Sequence, residues 1–241
     1  MALIDWALGA LIIAAACFVM GLAGFGVALV AMAFLPYVMA PATAIVLLTV
    51  YTVPFSLAIF VQLRRHFTPR AIVDLLIGTA LGTPIGVFIL TALPASTLNR
   101  VIGAFLVVIV ILEWRQMFPE QLTGRGWGLL TGVLAGVLGG AVGTPGPPVV
   151  VYSTTQGWSP RTMKANLQAF FIVNQALILI GYWWTGLLTR EVWQLAAGFA
   201  LPAIAGALVG VALFGRIDAA RFRRVVFALL FLSGLVLLVR G

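Results

Sequence analysis

The sequence predicts an all-α integral membrane protein with two inverted-topology halves, each holding a glycine-broken re-entrant segment and three transmembrane helices. Three observations predict it. Of 241 residues, 63% are hydrophobic and only 8% charged, against about 25% charged in soluble domains. The mean hydropathy is +1.16. The apolar residues form long stretches that leave no polar run sufficient for a soluble domain. Two of these stretches are interrupted by glycines at matching places, Gly21-Leu-Ala-Gly24-Phe25-Gly26 and Gly139-Gly140-Ala-Val-Gly143-Thr144-Pro145-Gly146-Pro147-Pro148. A helix broken inside hydrocarbon frees backbone groups that no water can satisfy, so the break must be packed in protein or line a cavity. Paired breaks in two halves are the sequence mark of a membrane binding site.

The stretches fall at about 3–38, 42–62, 71–92, 97–113, 126–152, 165–188, 192–215 and 222–239. A span needs about 20 apolar residues. Six stretches are therefore expected to be ordinary spans, while 3–38 and 126–152 carry the breaks. The first half is expected to be residues 1–120 and the second 121–241, within one membrane domain. Gly78-Thr-Ala-Leu-Gly82-Thr-Pro84-Ile-Gly86 resembles Gly198-Phe-Ala-Leu-Pro202-Ala-Ile-Ala-Gly206, and Leu98-Asn99-Arg100-Val101-Ile102 resembles Phe222-Arg223-Arg224-Val225-Val226. That order is what an old duplication leaves. The N-terminus lacks the basic n-region and cleavage site of a signal peptide and is expected to be retained.

Loop charges choose between two topologies. If all eight segments cross, the fourteen Arg and Lys divide seven and seven, which sets no orientation. If each broken segment dips in and returns, Arg64, Arg65, Arg70, Arg115, Arg125, Arg161, Lys164, Arg216, Arg221, Arg223 and Arg224 share one side. Only Arg100, Arg190 and Arg240 remain on the other. The positive-inside rule favours the second arrangement, with both termini non-cytoplasmic. Three net crossings per half then invert the halves relative to each other. The net charge of +8 is spread through short loops, which suits topology and lipid headgroups and not nucleic acid.

The breaks offer anion chemistry. A helix end presents N–H groups backed by the positive end of the helix dipole, and such an end binds anions without a formal charge. The expected donors are Gly21, Gly24, Phe25 and Gly26 at the first break, and Gly143, Thr144 and Gly146 at the second. Tight helix packing is the competing role for these glycines, and the expected one for Gly78, Gly82, Gly86, Gly132, Gly136, Gly140, Gly206 and Gly210. Polar residues inside spans are the other candidates: Thr49 and Thr52 after the first break, and Lys164, Asn166, Gln168, Asn174 and Gln175 after the second. Lys164 is a point charge for an anion if it lies at depth, or snorkels if it lies at the interface. The amides are costly in lipid and are expected to face the protein interior.

Other chemistries are disfavoured. Cys17 is the single cysteine and His66 the single histidine, so no intramolecular disulfide, cysteine metal cluster or nucleophile–base set is expected. Asp74, Glu113, Glu191 and Asp218 lie near basic loop residues and suit interfacial pairing. Gly21–Gly26 does not follow the order of a nucleotide-binding glycine loop and no strand precedes it. No enzyme activity, cofactor or metal is expected.

The Gly21-x-x-Gly24-Phe25-Gly26 break, the Gly139-Gly140-x-x-Gly143-Thr144-Pro145 break and the Gly157-Trp-Ser-Pro160-Arg161 turn resemble the TauE/SafE (sulfite exporter) family of membrane transporters. The resemblance covers essentially the whole chain. The second break here is richer in proline than the family pattern. The resemblance implies movement of sulfite, an organosulfonate or a related sulfur-containing or carboxylate anion. The expectation is a secondary transporter in the cytoplasmic membrane, working by alternating access, with the anion near the midplane between the two break tips. The expected partners are a small anion and the lipid bilayer; a coupling ion such as H+ and a homo-oligomer are compatible with this. An anion or small-solute channel, or a membrane subunit needing a partner, is the alternative.

Overall fold

The computed structural model describes residues 3–23, 26–115, 122, 124–213 and 219–240. The described residues are helical with no strand, in the order α1 (Leu3–Ala23), α2 (Val27–Phe34), α3 (Pro41–Leu63), α4 (Val73–Ala92), α5 (Ala95–Trp114), α6 (Arg125–Val142), α7 (Gly146–Thr154), α8 (Pro160–Trp184), α9 (Arg190–Gly198), α10 (Ala200–Ala212) and α11 (Ala219–Arg240). Among the described residues six helices are each long and apolar enough to cross a membrane: α1, α3, α4, α5, α6 and α8. Helical hydrogen bonding satisfies most of their backbone groups within each segment, the condition hydrocarbon imposes; Pro54 in α3 and Pro84 in α4 each remove one donor.

Both broken stretches are broken where the glycines stand, and their arms are unequal. α1 has 21 residues and α6 has 18, about 31 and 27 Å at 1.5 Å per residue. Both are near the length that a hydrocarbon layer of about 30 Å requires. The second arms, α2 with 8 residues and α7 with 9, are half as long or less. A second departure lies at 192–215, expected as one ordinary span. It is two helices, α9 and α10, bent by 49°. The physical cause is Pro202, which has no N–H to donate to Gly198 and so opens the helix at Phe199. Phe199 keeps its own bond to the Leu195 carbonyl at 2.9 Å.

The chain forms two compact units: Met1–Leu48, Leu93–Met117 and Thr189–Gly241 in the first, Thr49–Ala92 and Phe118–Leu188 in the second. In the first unit α1 lies along α10, α5 along α11, and α2 against α1, α5 and α11. The α1–α10 approach is backbone to backbone. A Cβ added to Gly206 would stand 2.1 Å from the Ala14 carbonyl oxygen, and one on Gly210 would stand 2.2 Å from that of Phe18. Gly103 and Gly234 make the same close approach between α5 and α11. The Ser233 hydroxyl donates to the Ala33 carbonyl, tying α11 to α2.

In the second unit α4 and α6 are the most intimate pair, with α8 against both. Gly78, Gly82 and Gly86 alternate with Gly132, Gly136 and Gly140 along the seam. A Cβ on Gly82 would meet the Val133 oxygen at 2.2 Å, and one on Gly132 the Leu75 oxygen at 2.3 Å. Small residues let the backbones touch, and dispersion then replaces the hydrophobic drive that lipid cannot supply. The core includes Ile72, Leu75, Ala135, Val149, Phe170 and Phe171. Across both units the pairing is reciprocal: the long arm of each broken segment packs on a helix from the other half of the sequence, α1 on α10 and α6 on α4.

Candidate functional site

At the first break, Gly24 and Phe25 lie outside the described residues. Gly26 is in the left-handed region with φ 92. A Cβ there would touch nothing nearer than Val19 Cγ1 at 3.9 Å, so backbone conformation and not space calls for glycine. α2 starts at Val27, and its first internal bond runs from the Val30 N–H to the Gly26 carbonyl at 3.2 Å. The amides of Val27, Ala28 and Leu29 have no acceptor within the helix. Gly21 lies inside α1, where a Cβ would be 2.3 Å from the Ala207 oxygen. Its missing side chain serves the α1–α10 contact.

At the second break, Gly143 is left-handed with φ 72 and closes α6. Its N–H bonds the Gly139 carbonyl at 3.0 Å, and the Thr144 N–H bonds that of Leu138 at 3.3 Å. Two of the three amides expected to meet a ligand thus cap the helix instead. Pro145 precedes α7, which opens Gly146-Pro147-Pro148. The prolines carry no donor, so Gly146 supplies the single N–H of that first turn. Thr144 is 3% exposed, and its hydroxyl has no hydrogen-bond partner among the described residues.

α8 starts cleanly because Ser159 caps it, accepting from the Thr162 N–H at 3.2 Å, with Pro160 in the first turn. Its amides Asn166, Gln168, Asn174 and Gln175 are all buried, and Lys164 is half-buried in its second turn. Asn166 is committed to structure. Its Oδ1 accepts from the Thr68 N–H at 3.0 Å, and its Nδ2 donates to the Thr68 hydroxyl at 2.8 Å. Asn166→Ala is expected to cost about 1–3 kcal/mol by orphaning Thr68. Thermal unfolding in detergent checks it; a ligand role would instead weaken substrate binding at unchanged stability.

Asn174 stands at the break itself. Its Nδ2 donates to the Thr79 hydroxyl on α4, while its Oδ1 lies 3.3 Å from where a Cβ on Gly139 would be, beside Pro145. That oxygen has no partner among the described residues. At the next residue of α6, the Tyr182 hydroxyl donates to the Gly140 carbonyl at 2.8 Å and is hydrogen-bonded to Thr49. Thr52, on α3, is buried. Gln175 Oε1 is buried and unpaired among the described residues.

Thr79 and Tyr182 were not expected. Thr79 sits between glycines in a span, and a polar residue on a glycine-striped face was the available signal. Tyr182 gave none, because an aromatic near a span end reads as an interface anchor. Among the described residues no three His, Cys, Asp or Glu cluster to hold a metal.

Long apolar helices, with glycine turns set inside two apolar stretches, make this a multi-pass protein of the cell membrane. Residues 8–237 match the family model described as Sulfite exporter TauE/SafE. The chain belongs to this family, and it is a membrane transport protein, not an enzyme. No curated protein matches it, and no solved structure does.

Proposed function

We propose that the protein is a secondary transporter carrying a small anion, an oxyanion of sulfur or an organosulfonate, across the cytoplasmic membrane by alternating access. The matched left-handed glycines, Gly26 and Gly143, carry this reading. Gly26 caps the start of the short α2 and Gly143 caps the end of the long α6, one in each glycine-broken stretch. The head of α2 supplies the anion's donors: the Val27, Ala28 and Leu29 amides, backed by the helix dipole. The second unit, taken by itself, has its own polar candidates for an anion in Lys164, Gln168, Thr49 and Thr52. The sulfur-anion class rests on the family description. The reciprocal packing of α1 on α10 and α6 on α4 supports two duplicated halves, residues 1–120 and 121–241. The loop charges favour their inversion, with each short arm as a re-entrant return.

A ligand that binds the native state raises its melting temperature by mass action. Among sulfite, thiosulfate, taurine, sulfoacetate and simple carboxylates, at least one is expected to stabilise the detergent-purified protein, and the shift should shrink in Gly26→Val. A flat response to every one of them overturns the anion assignment.

A further inference from the structure

We infer that the second break, formed by the end of α6, Thr144 and Asn174, is a binding site for a monovalent cation, sodium. Backbone donors at this break are few, and the Gly146 N–H is the one left without an acceptor in the helix. The Gly143 and Thr144 N–H groups cap α6 at 3.0 and 3.3 Å, and Pro145, Pro147 and Pro148 have none. Acceptors are left over. Of the last α6 carbonyls, Gly139 accepts from Gly143 and Gly140 from Tyr182. Those of Ala141 and Val142 have no donor within the helix.

Two side-chain oxygens join them. Thr144 is 3% and Asn174 0% exposed, and neither Thr144 Oγ1 nor Asn174 Oδ1 has a hydrogen-bond partner among the described residues. A buried polar atom without a partner is costly and calls for a ligand. Asn174 Oδ1 lies beside the break: it is 3.3 Å from where a Gly139 Cβ would stand, a position that Pro145 Cβ bounds at 3.2 Å and Ile178 Cδ1 at 2.8 Å. The negative end of the α6 dipole adds to the attraction for a cation. Hydroxyl, amide and backbone oxygens at a helix C-terminal end are hard, neutral ligands, and such ends coordinate sodium in transporters with broken helices. Without a carboxylate among them, a divalent ion keeps too much uncompensated charge. Because none of these groups titrates near neutral pH, a proton is not the ion held here.

Binding needs only this geometry; the coupling of sodium to anion movement rests on the transport reading above. The test replaces sodium by choline at constant ionic strength and follows thermal unfolding of the detergent-purified protein. Sodium is expected to raise the melting temperature, and Thr144→Val to lose that rise. Asn174→Asp, nearly isosteric, should lower the half-maximal sodium concentration by about tenfold or more, because a carboxylate at contact distance adds more than 1.4 kcal/mol. Equal melting in sodium and choline overturns the site, as does a sodium response unchanged in both variants. An equal or larger response to potassium than to sodium overturns the assignment of the ion. Anion counterflow that persists in sodium-free vesicles removes the coupling and leaves the transporter. Sodium stabilisation in a protein with no counterflow leaves the site and removes the transporter.

Discussion

Leucine at Gly82 is expected to prevent stable assembly of the second unit. A Cβ at this position would lie 2.2 Å from the Val133 oxygen and 2.9 Å from its carbonyl carbon. Both are backbone atoms of α6, so no side-chain rotation relieves the clash. The helices must separate along the whole glycine seam, and separation forfeits the dispersion contacts that hold them together in lipid. The cost is about 3 kcal/mol or more, at or above the top of the usual range for overpacking. Gly206→Leu should do the same to α1 and α10, since its Cβ would stand 2.1 Å from the Ala14 oxygen. Gly126→Leu is the control: it lies on α6 with nothing within 4 Å. Yield of monodisperse protein and its melting temperature in detergent decide the matter. Equal behaviour of Gly82→Leu and Gly126→Leu would show that the α4–α6 approach is wrong.

Valine at either left-handed break glycine is expected to reduce transport by about tenfold or more in a protein that still folds. A β-branched residue at φ 92 or 72 is strained by about 1–2 kcal/mol, and the turn relieves this by changing its dihedrals. At Gly26 the change swings the Val27, Ala28 and Leu29 amides away from the anion. At Gly143 it undoes the cap and displaces Thr144. Steric crowding does not confuse the first case, where the added Cβ meets only Val19 at 3.9 Å. Gly186→Val supplies the matched control, with φ 73 and nothing within 4 Å in a loop beyond α8. It carries the same backbone strain outside both breaks, so it should lose stability and keep transport. If all three variants transport equally, the breaks do not hold the transported solute or its coupling ion.

The helical class was legible because hydrocarbon permits few solutions: a chain this apolar must satisfy its backbone within each span. The broken stretches were legible for the same reason, since glycine clusters in an apolar run have few purposes. They are seen as α1 with the helices and turn through Tyr37, and as α6 with α7. The bend at Phe199 was less so, because Pro84 lies inside α4 and Pro54 inside α3 without ending either helix. Proline opens a helix at one place and not at another, so its presence in a sequence does not by itself mark a break. The division of labour among site residues was largely hidden. Asn166 and Gln168 look alike in sequence, yet Asn166 is spent on Thr68, 98 residues away. Gly143 and Thr144 look like free amides until the cap formed with Leu138 and Gly139 is seen. Gly21 and Gly26 belong to one motif, yet Gly21 packs a helix and Gly26 turns the chain. Hydrogen-bond partners distant in sequence leave no local trace.

Counterflow tests the transport claim most directly. Purified protein is placed in sealed vesicles loaded with unlabelled sulfite or sulfoacetate and diluted into a trace of the labelled compound. Label should rise transiently above its equilibrium level, saturate with external anion and disappear in Gly26→Val. Label that only equilibrates, without overshoot or saturation, would mark a passive pore and contradict a carrier.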